Sequence, residues 1–277
     1  MNCAWKELLA ILPPWLRPEV DRSGAEQLQE IRLRMKRPVE LICGNGRRTL
    51  LRTVGDGDIE NVINAASRYS PWRASTTARG YLTAPGGHRI GLCGEVTVDG
   101  REMTGFRQIT SLNIRVAKDY PGICGQLSDR KGSILILGKP GSGKTTLLRD
   151  LIRARGEREN VSVVDERGEL FPPCGSFPPG AHTDIITGCT KSQGIEALLR
   201  TMGPAVIAVD EITAKEDCDA LIQAGWCGVQ LLATVHAANR EDLMHRPVYQ
   251  PLLHCGLFDT LVVMQADKSF HTERIYL

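Results

Sequence analysis

Aromatic side chains are scarce in this chain of 277 residues, which holds five Phe, five Tyr and four Trp. Proteins that track single-stranded nucleic acid stack bases on such rings, so the shortage speaks against a nucleic-acid motor. An excess of one charge is lacking too: 34 Lys and Arg stand against 32 Asp and Glu, for a formal net charge of +2. Without a global positive field, local basic stretches would have to carry any contact with phosphate backbones. No apolar run approaches the ~20 residues needed to span a bilayer. The N-terminus lacks a basic start followed by a long apolar stretch, because Pro13 and Pro14 interrupt Leu8 to Leu12. These absences lead to the expectation of a cytoplasmic protein whose membrane contact is peripheral. None of the nine cysteines forms a C-x-x-C pair, which removes the common zinc and dithiol motifs. In a reducing cytosol they are expected to be small, buried apolar residues.

At roughly 150 residues per domain, the length suggests two domains. In the first part, EIRLRMKRPVELICGNG alternates as strand, Arg-rich turn, strand and glycine turn. IENVINAASRYS places Ile59, Val62, Ile63 and Ala66 at helical spacing, and GGHRIGLCGEVTVDGR suggests a hairpin of two strands with glycine turns. Asp119 to Gly125 carries linker chemistry, Tyr-Pro-Gly-Ile-Cys-Gly, so a smaller α/β domain is expected over 1–125 and a second domain over 126–277. There SILILG, VSVVDE, AVIAVDE and GVQLLATVH are apolar strands separated by helical patterns. They imply an α/β fold with a mostly parallel sheet covered on both faces. Ligands of such sheets sit at the carboxyl ends of the strands, and every polar cluster of interest falls at one of those ends. Phe171 to Gly180, rich in proline, is expected to be a stiff surface loop.

Gly138-Lys139-Pro140-Gly141-Ser142-Gly143-Lys144-Thr145 fits G-x-x-x-x-G-K-[ST], after an apolar strand and before a helix that continues with Thr146. The glycines let backbone N–H groups turn toward a phosphate, and the helix N-terminus adds its positive end. Lys144 would reach the β- and γ-phosphates of ATP, and the Thr145 hydroxyl would ligate Mg²⁺. Val206 to Glu211 is an apolar strand ending in two carboxylates. Strand neighbours point to opposite faces, so Asp210 is assigned to the Mg²⁺ side and Glu211 to the catalytic base. A second acidic cluster, Asp165-Glu166-Arg167-Gly168-Glu169, ends another strand, and Glu166 competes with Glu211 for that role. His236, beside Thr234 at a further strand end, is a candidate sensor of the γ-phosphate.

Taken in order, the P-loop, the acidic box at Asp165 to Glu169, the strand ending in Glu211 and the histidine box at Thr234 to Ala237 resemble the secretion-superfamily ATPases. That group comprises the RecA-like motors of type II and type IV secretion and of pilus retraction. EIRLR, GFRQITSLNIRV, GKPGSGKTTLLRD, VVDERGEL and AVDEI look closest to the stage III sporulation protein AA family of endospore-forming bacteria. This resemblance implies a cytosolic hexamer on the mother-cell side, docked on membrane proteins of a channel complex. It also implies that Arg107, Arg115 and Arg200 approach the γ-phosphate, where a guanidinium fork matches phosphate oxygens. The chain departs from the motors' pattern where Val229, not His, follows Gly228, and where Asp210 precedes Glu211 in place of glycine. Paired zinc cysteines of the type II motors are absent. Two other classes share the core: a nucleic-acid motor of the RecA or hexameric-helicase type, and a scaffold that binds ATP without turnover. An ABC-type ATPase is discounted, since no Leu-Ser-Gly-Gly-Gln signature lies between the P-loop and Asp210.

Overall fold

A computed structural model describes residues 1–67, 80–172 and 177–275. The chain divides into two compact units, Met1–Asp119 with Pro172–Ser176, and Tyr120–Phe171 with Phe177–Leu277.

The first unit opens with helices α1 (Trp5–Ile11), α2 (Arg17–Asp21) and α3 (Gly24–Gln27). Strands β1 (Leu28–Arg34), β2 (Pro38–Cys43) and β3 (Gly46–Thr53) follow, then helix α4 (Asp56–Ser67), β4 (Tyr81–Thr83), β5 (Arg89–Asp99) and β6 (Glu102–Arg115). The strands pair antiparallel in the order β3-β2-β1-β6-β5-β4. Alternation along β1 buries Leu28, Ile31 and Leu33 against Val39 and Leu41 of β2 and against Ile59, Val62 and Ala66 of α4. Its arginines fall between them, where Arg32 pairs with Glu30 at 2.9 Å and Arg34 with Glu40 at 3.0 Å. The sequence pattern concealed β3, in which Leu50 alone is buried, so an edge strand shows no period to read.

One expectation is corrected here. GGHRIGLCGEVTVDGR is not a hairpin in itself: Arg89 to Asp99 runs as a single strand and turns at Gly100 and Arg101 to pair with β6. Gly94 belongs to a register shift instead of a turn, and a Cβ there would lie 2.0 Å from the Gln108 carbonyl oxygen. It is a glycine because two backbones approach closely.

His88 is fully buried and ties this unit together. Its Nδ1 accepts from the Ala117 N–H at 3.1 Å and its Nε2 donates to the Ala4 carbonyl at 2.9 Å, which requires the neutral ring. Burial holds its pKa below the ordinary value of 6.5, against the opposing pull of the Ala4 bond. A depressed histidine contributes stability above the unfolded-state value and loses it as pH falls. Accordingly His88→Ala, which orphans both backbone groups, is expected to cost about 2 kcal/mol at neutral pH. The gap to wild type should narrow toward pH ~5 in urea titrations, and a gap that widens on acidification would contradict this account.

The second unit runs β7 (Ile134–Leu137), α5 (Lys144–Gly156), β8 (Val161–Asp165), β9 (Thr183–Thr187), α6 (Lys191–Thr201), β10 (Val206–Ile212), α7 (Lys215–Trp226) and β11 (Gln230–Val235). It ends with α8 (Arg240–Met244), α9 (Gln250–His254), β12 (Thr260–Met264) and β13 (Phe270–Arg274). The sheet order is β13-β12-β7-β11-β10-β8-β9, parallel throughout except for β13 at one edge. The four expected strands form its centre, and β9, β12 and β13 extend it on both sides. Leu135, Leu137, Ile207, Val209, Leu231 and Ala233 pack one face of the sheet against Ile195 and Leu198 of α6 and Leu221 of α7.

Asp150 on α5 is buried, accepts from the N–H groups of Gly122 and Cys124 at 2.9 Å each, and pairs with Arg153 at 2.8 Å. Burial would raise its pKa, but bonds from Cys124 and Gly122 and the Arg153 charge outweigh that and hold it low. Burial pushes the Cys124 thiol up to about 12 and that of Cys218 to about 11. Of the eight cysteines described, only these two are buried and Cys93 and Cys227 are exposed, so the expectation of uniform burial fails. The expected surface loop over 171–180 is also corrected at its ends. Phe171 and Phe177 are buried, and the Arg149 guanidinium lies 4.4 Å from the Phe177 ring centroid, so aromatic burial anchors the segment. Residues 173–176 of that loop lie outside the described residues. No helix among the described residues is long and apolar enough to cross a membrane.

Candidate functional site

Residues 138–145 join β7 to α5 as a tight loop. Gly141 and Gly143 have φ of 78° and 99°, a region in which glycine alone is unstrained. A Cβ at Gly138 would lie 2.3 Å from Ser142 Oγ and 2.8 Å from Met264 Cβ, so the loop closes on itself only with glycine there. No side chain caps α5, whose N-terminal amides and positive dipole end therefore face the loop. Ser142 Oγ is buried without a hydrogen-bond partner, an orphaned polar atom inside the cradle. Lys144 Nζ donates to the carbonyls of Gly138 at 2.8 Å and Lys139 at 3.0 Å, and meets His236 Nδ1 at 3.0 Å. Burial lowers the lysine pKa, and the charges of Asp210 and Glu211 oppose that shift. The cradle suits a phosphate chain: the uncapped N-terminus of α5, one buried cation and an unsatisfied hydroxyl.

Asp210 stands beside it. Its Oδ2 accepts from Thr145 Oγ1 at 2.7 Å and its Oδ1 from Thr234 Oγ1 at 2.6 Å. Thr234 Oγ1 in turn accepts from the Glu211 N–H at 2.7 Å. Glu211 has φ of 56°, a left-handed conformation costly for any residue with a Cβ, at a break in the pairing between β10 and β11. Ordinary strand alternation is thus replaced by a kink that aims Glu211 at His236, whose Nε2 lies 2.7 Å from Glu211 Oε1. With its hydrogen on Nε2, His236 donates to Glu211 and accepts from Lys144, so the three form one relay. Arg167 meets the other Glu211 oxygen at 3.6 Å. Burial would raise the Glu211 pKa, but the His236 bond and the positive charges of Arg167 and Lys191 hold it below the ordinary carboxylate value.

The acidic box divides into two jobs. Asp165 is buried and accepts from three successive backbone N–H groups, those of Glu169 at 2.9 Å, Leu170 at 3.0 Å and Phe171 at 2.9 Å. Burial pushes its pKa up to about 6 despite those bonds. Asp165 therefore shapes the loop, and Glu166 and Arg167 are the side chains left to act. Glu166 pairs with Lys191 at 2.7 Å. A small cleft is lined by Val164, Asp165, Glu166, Arg167, Glu169, Lys191, Asp210 and Glu211.

The family described as sporulation stage III, protein AA, matches residues 6–276. The chain belongs to that family. Stage III sporulation protein AA of Bacillus subtilis (strain 168) is 34% identical over 282 residues, covering 95% of this chain and 92% of the relative. Among solved structures, the ATPase DotB of Legionella pneumophila aligns with a TM-score of 0.61 at 16% identity, over 95% of this chain and 80% of its own. The pilus retraction motor PilT, solved with bound ADP, aligns with a TM-score of 0.57 at 13% identity, over 89% of this chain and 77% of its own. At such identities the likeness is one of fold: this protein AA family member has the RecA-like fold of secretion ATPases, with a mostly parallel sheet preceded by an N-terminal sheet unit.

In this protein AA family member the structure gathers Gly138 to Thr145, Asp210, Glu211, Thr234 and His236 at adjoining strand ends, with Glu166 along the cleft beside Glu211. Thr146 continues α5 half-buried. Arg107 and Arg115 lie on β6 in the first unit, paired with Glu95 at 3.3 Å and Glu30 at 3.6 Å. Arg200 lies in the last turn of α6, largely exposed beside Glu196, and is not among the residues gathered at the strand ends. Thr145 and Asp210 offer hard oxygen donors within hydrogen-bond distance of each other, as Mg²⁺ requires when phosphate and water complete its shell. Sequence reasoning missed Lys191, the Arg167 contact with Glu211 and the Asp150 clip. Lys191 carried one readable signal, a cation in the first turn of a helix, where the dipole disfavours it.

Proposed function

We propose that this protein is a Mg²⁺-dependent ATPase that powers or assembles a secretion-like membrane channel complex during sporulation. The observation that carries the reading is the unbroken relay from Lys144 through His236 to Glu211, beside the Thr145–Asp210–Thr234 chain. Cradle amides and Lys144 bind the β- and γ-phosphates; Thr145 and Asp210 would hold Mg²⁺, which when bound neutralises charge on phosphate oxygens. Glu211, ionised and aimed by His236, orients and deprotonates the attacking water, with Glu166 the alternative base on the same cleft. Because Lys144 has the His236 contact as its alternative to phosphate, His236 registers which partner the lysine has. Arg107, Arg115 and Arg200 are proposed to neutralise the γ-phosphate, from the same chain or a neighbour in a hexameric ring. The ring docks on membrane proteins from the cytoplasmic, mother-cell side.

The test is phosphate release by the purified chain with Mg²⁺ and ATP, beside its mass with and without nucleotide. Lys144→Ala is expected to weaken nucleotide binding about 100-fold, since it removes a buried cation facing phosphate. Wild-type binding without turnover would turn the assignment to a scaffold. A monomer under all conditions that releases no phosphate would overturn the motor.

A further inference from the structure

Lys191 is a buried lysine in an unfavourable place. It opens α6, where the helix dipole repels a cation, and its side chain is only 9% exposed. Lysines are rarely buried unless paired, and its partner is Glu166 at 2.7 Å, at the end of a different strand. Neither element needs this pair to hold its place. Asp165 shapes the Glu166 turn through its three backbone bonds. Thr190 and Gln193 form a capping box that builds the helix start. Gly194 sets the helix on β8, because a Cβ there would lie 2.5 Å from Val164 Cγ1. What the pair decides is where the two charged ends sit, and both line the cleft that contains Asp210 and Glu211.

We propose that Lys191 is a positioning residue for hydrolysis, which holds the Glu166 carboxylate inside the cleft it shares with Glu211; this rests on the ATPase reading above. Lys191 acts chiefly through Glu166, its direct partner, its charge being the weakest of the influences that lower the Glu211 pKa, and it makes no contact with the nucleotide. Tethered by one short charge-assisted bond, Glu166 presents its remaining lone pairs to water in the cleft. Untethered, a glutamate side chain at a solvent-facing turn samples rotamers outside the cleft and leaves the water unordered.

The test compares Lys191→Met, Lys191→Arg, Glu166→Gln and the Lys191→Met/Glu166→Gln double variant in the full chain. The readouts are steady-state phosphate release, equilibrium binding of ATPγS and a crystal structure of Lys191→Met. Lys191→Met is expected to lower kcat about 10- to 100-fold, as misplacement of a water-orienting group does. KM and ATPγS affinity should stay within about twofold, because no phosphate contact is lost. Lys191→Arg should recover most of the rate, and the double variant should be no slower than Glu166→Gln alone. In the crystal structure, the Glu166 carboxylate should lie outside the cleft. Unchanged kcat in Lys191→Met, a parallel loss of ATPγS binding, or multiplying losses in the double variant would each overturn the inference. If wild type releases no phosphate, the hydrolysis reading fails by itself. The position of Glu166 in the Lys191→Met crystal then still decides whether this lysine sets it.

Discussion

Glu211→Gln is expected to reduce phosphate release about 10²- to 10³-fold while leaving nucleotide affinity near that of wild type, the signature of a lost general base. The cradle and Lys144 are untouched by this change, and a glutamine oxygen still accepts from His236 Nε2, so packing around the relay survives. What disappears is the proton acceptor at the kinked end of β10. The adjoining carboxylate supplies the control. Glu166→Gln slows turnover less if Glu211 is the base, and more if the roles are reversed. Wild-type turnover in Glu211→Gln would remove Glu211 from the chemistry and leave its left-handed backbone without a functional reason.

The second large effect concerns stability. Asp165→Ala leaves three consecutive N–H groups without their acceptor, the buried ones of Leu170 and Phe171 and the partly buried one of Glu169. The expected loss is about 3 kcal/mol or more in urea unfolding at neutral pH, together with turnover, because Glu166 and Arg167 ride on the loop that those bonds shape. A pH dependence follows from the same residue. Burial sets the folded-state pKa at about 6 against 3.8 for an ordinary aspartate. Between those values the folded chain holds a proton that the unfolded chain has released. The contribution is therefore complete below the unfolded value and is lost as pH rises through about 6. Relative to Asp165→Asn, which does not titrate, wild type should gain about 2 kcal/mol on moving from pH ~8 to pH ~4. A difference that shrinks on acidification would show that Asp165 is stabilised as the anion.

Much of this arrangement was legible in the residues. An apolar tetrad followed by eight P-loop positions and a helix specifies its own geometry, since each glycine sits where a Cβ would collide or φ turns positive. Central parallel strands declare themselves as unbroken apolar runs. The edges do not: Thr183–Thr187 of β9 is half-exposed and polar, and Gly46–Thr53 of β3 buries one side chain. LVVM in β12 was readable, being wholly buried like the central strands. What no local pattern contains is a meeting between strands. His236 and Glu211 are 25 residues apart and sheet order brings them together; Glu166 and Lys191 are also 25 apart and meet because α6 packs on β8. Glu211 defeats periodic reading for a further reason: its kink abandons the alternation on which the assignment of Asp210 and Glu211 to opposite faces was based.

Asp150 lies on the same helix that begins with Lys144, and its two oxygens grip the peptide groups of Gly122 and Cys124. Any rotation of that helix when its first turn closes on a ligand must carry the 122–124 backbone with it or break two bonds to a buried anion. The stretch of chain just past Tyr120 thus behaves as a handle welded to the phosphate-facing rod, and slack at this point would have to begin upstream of Gly122.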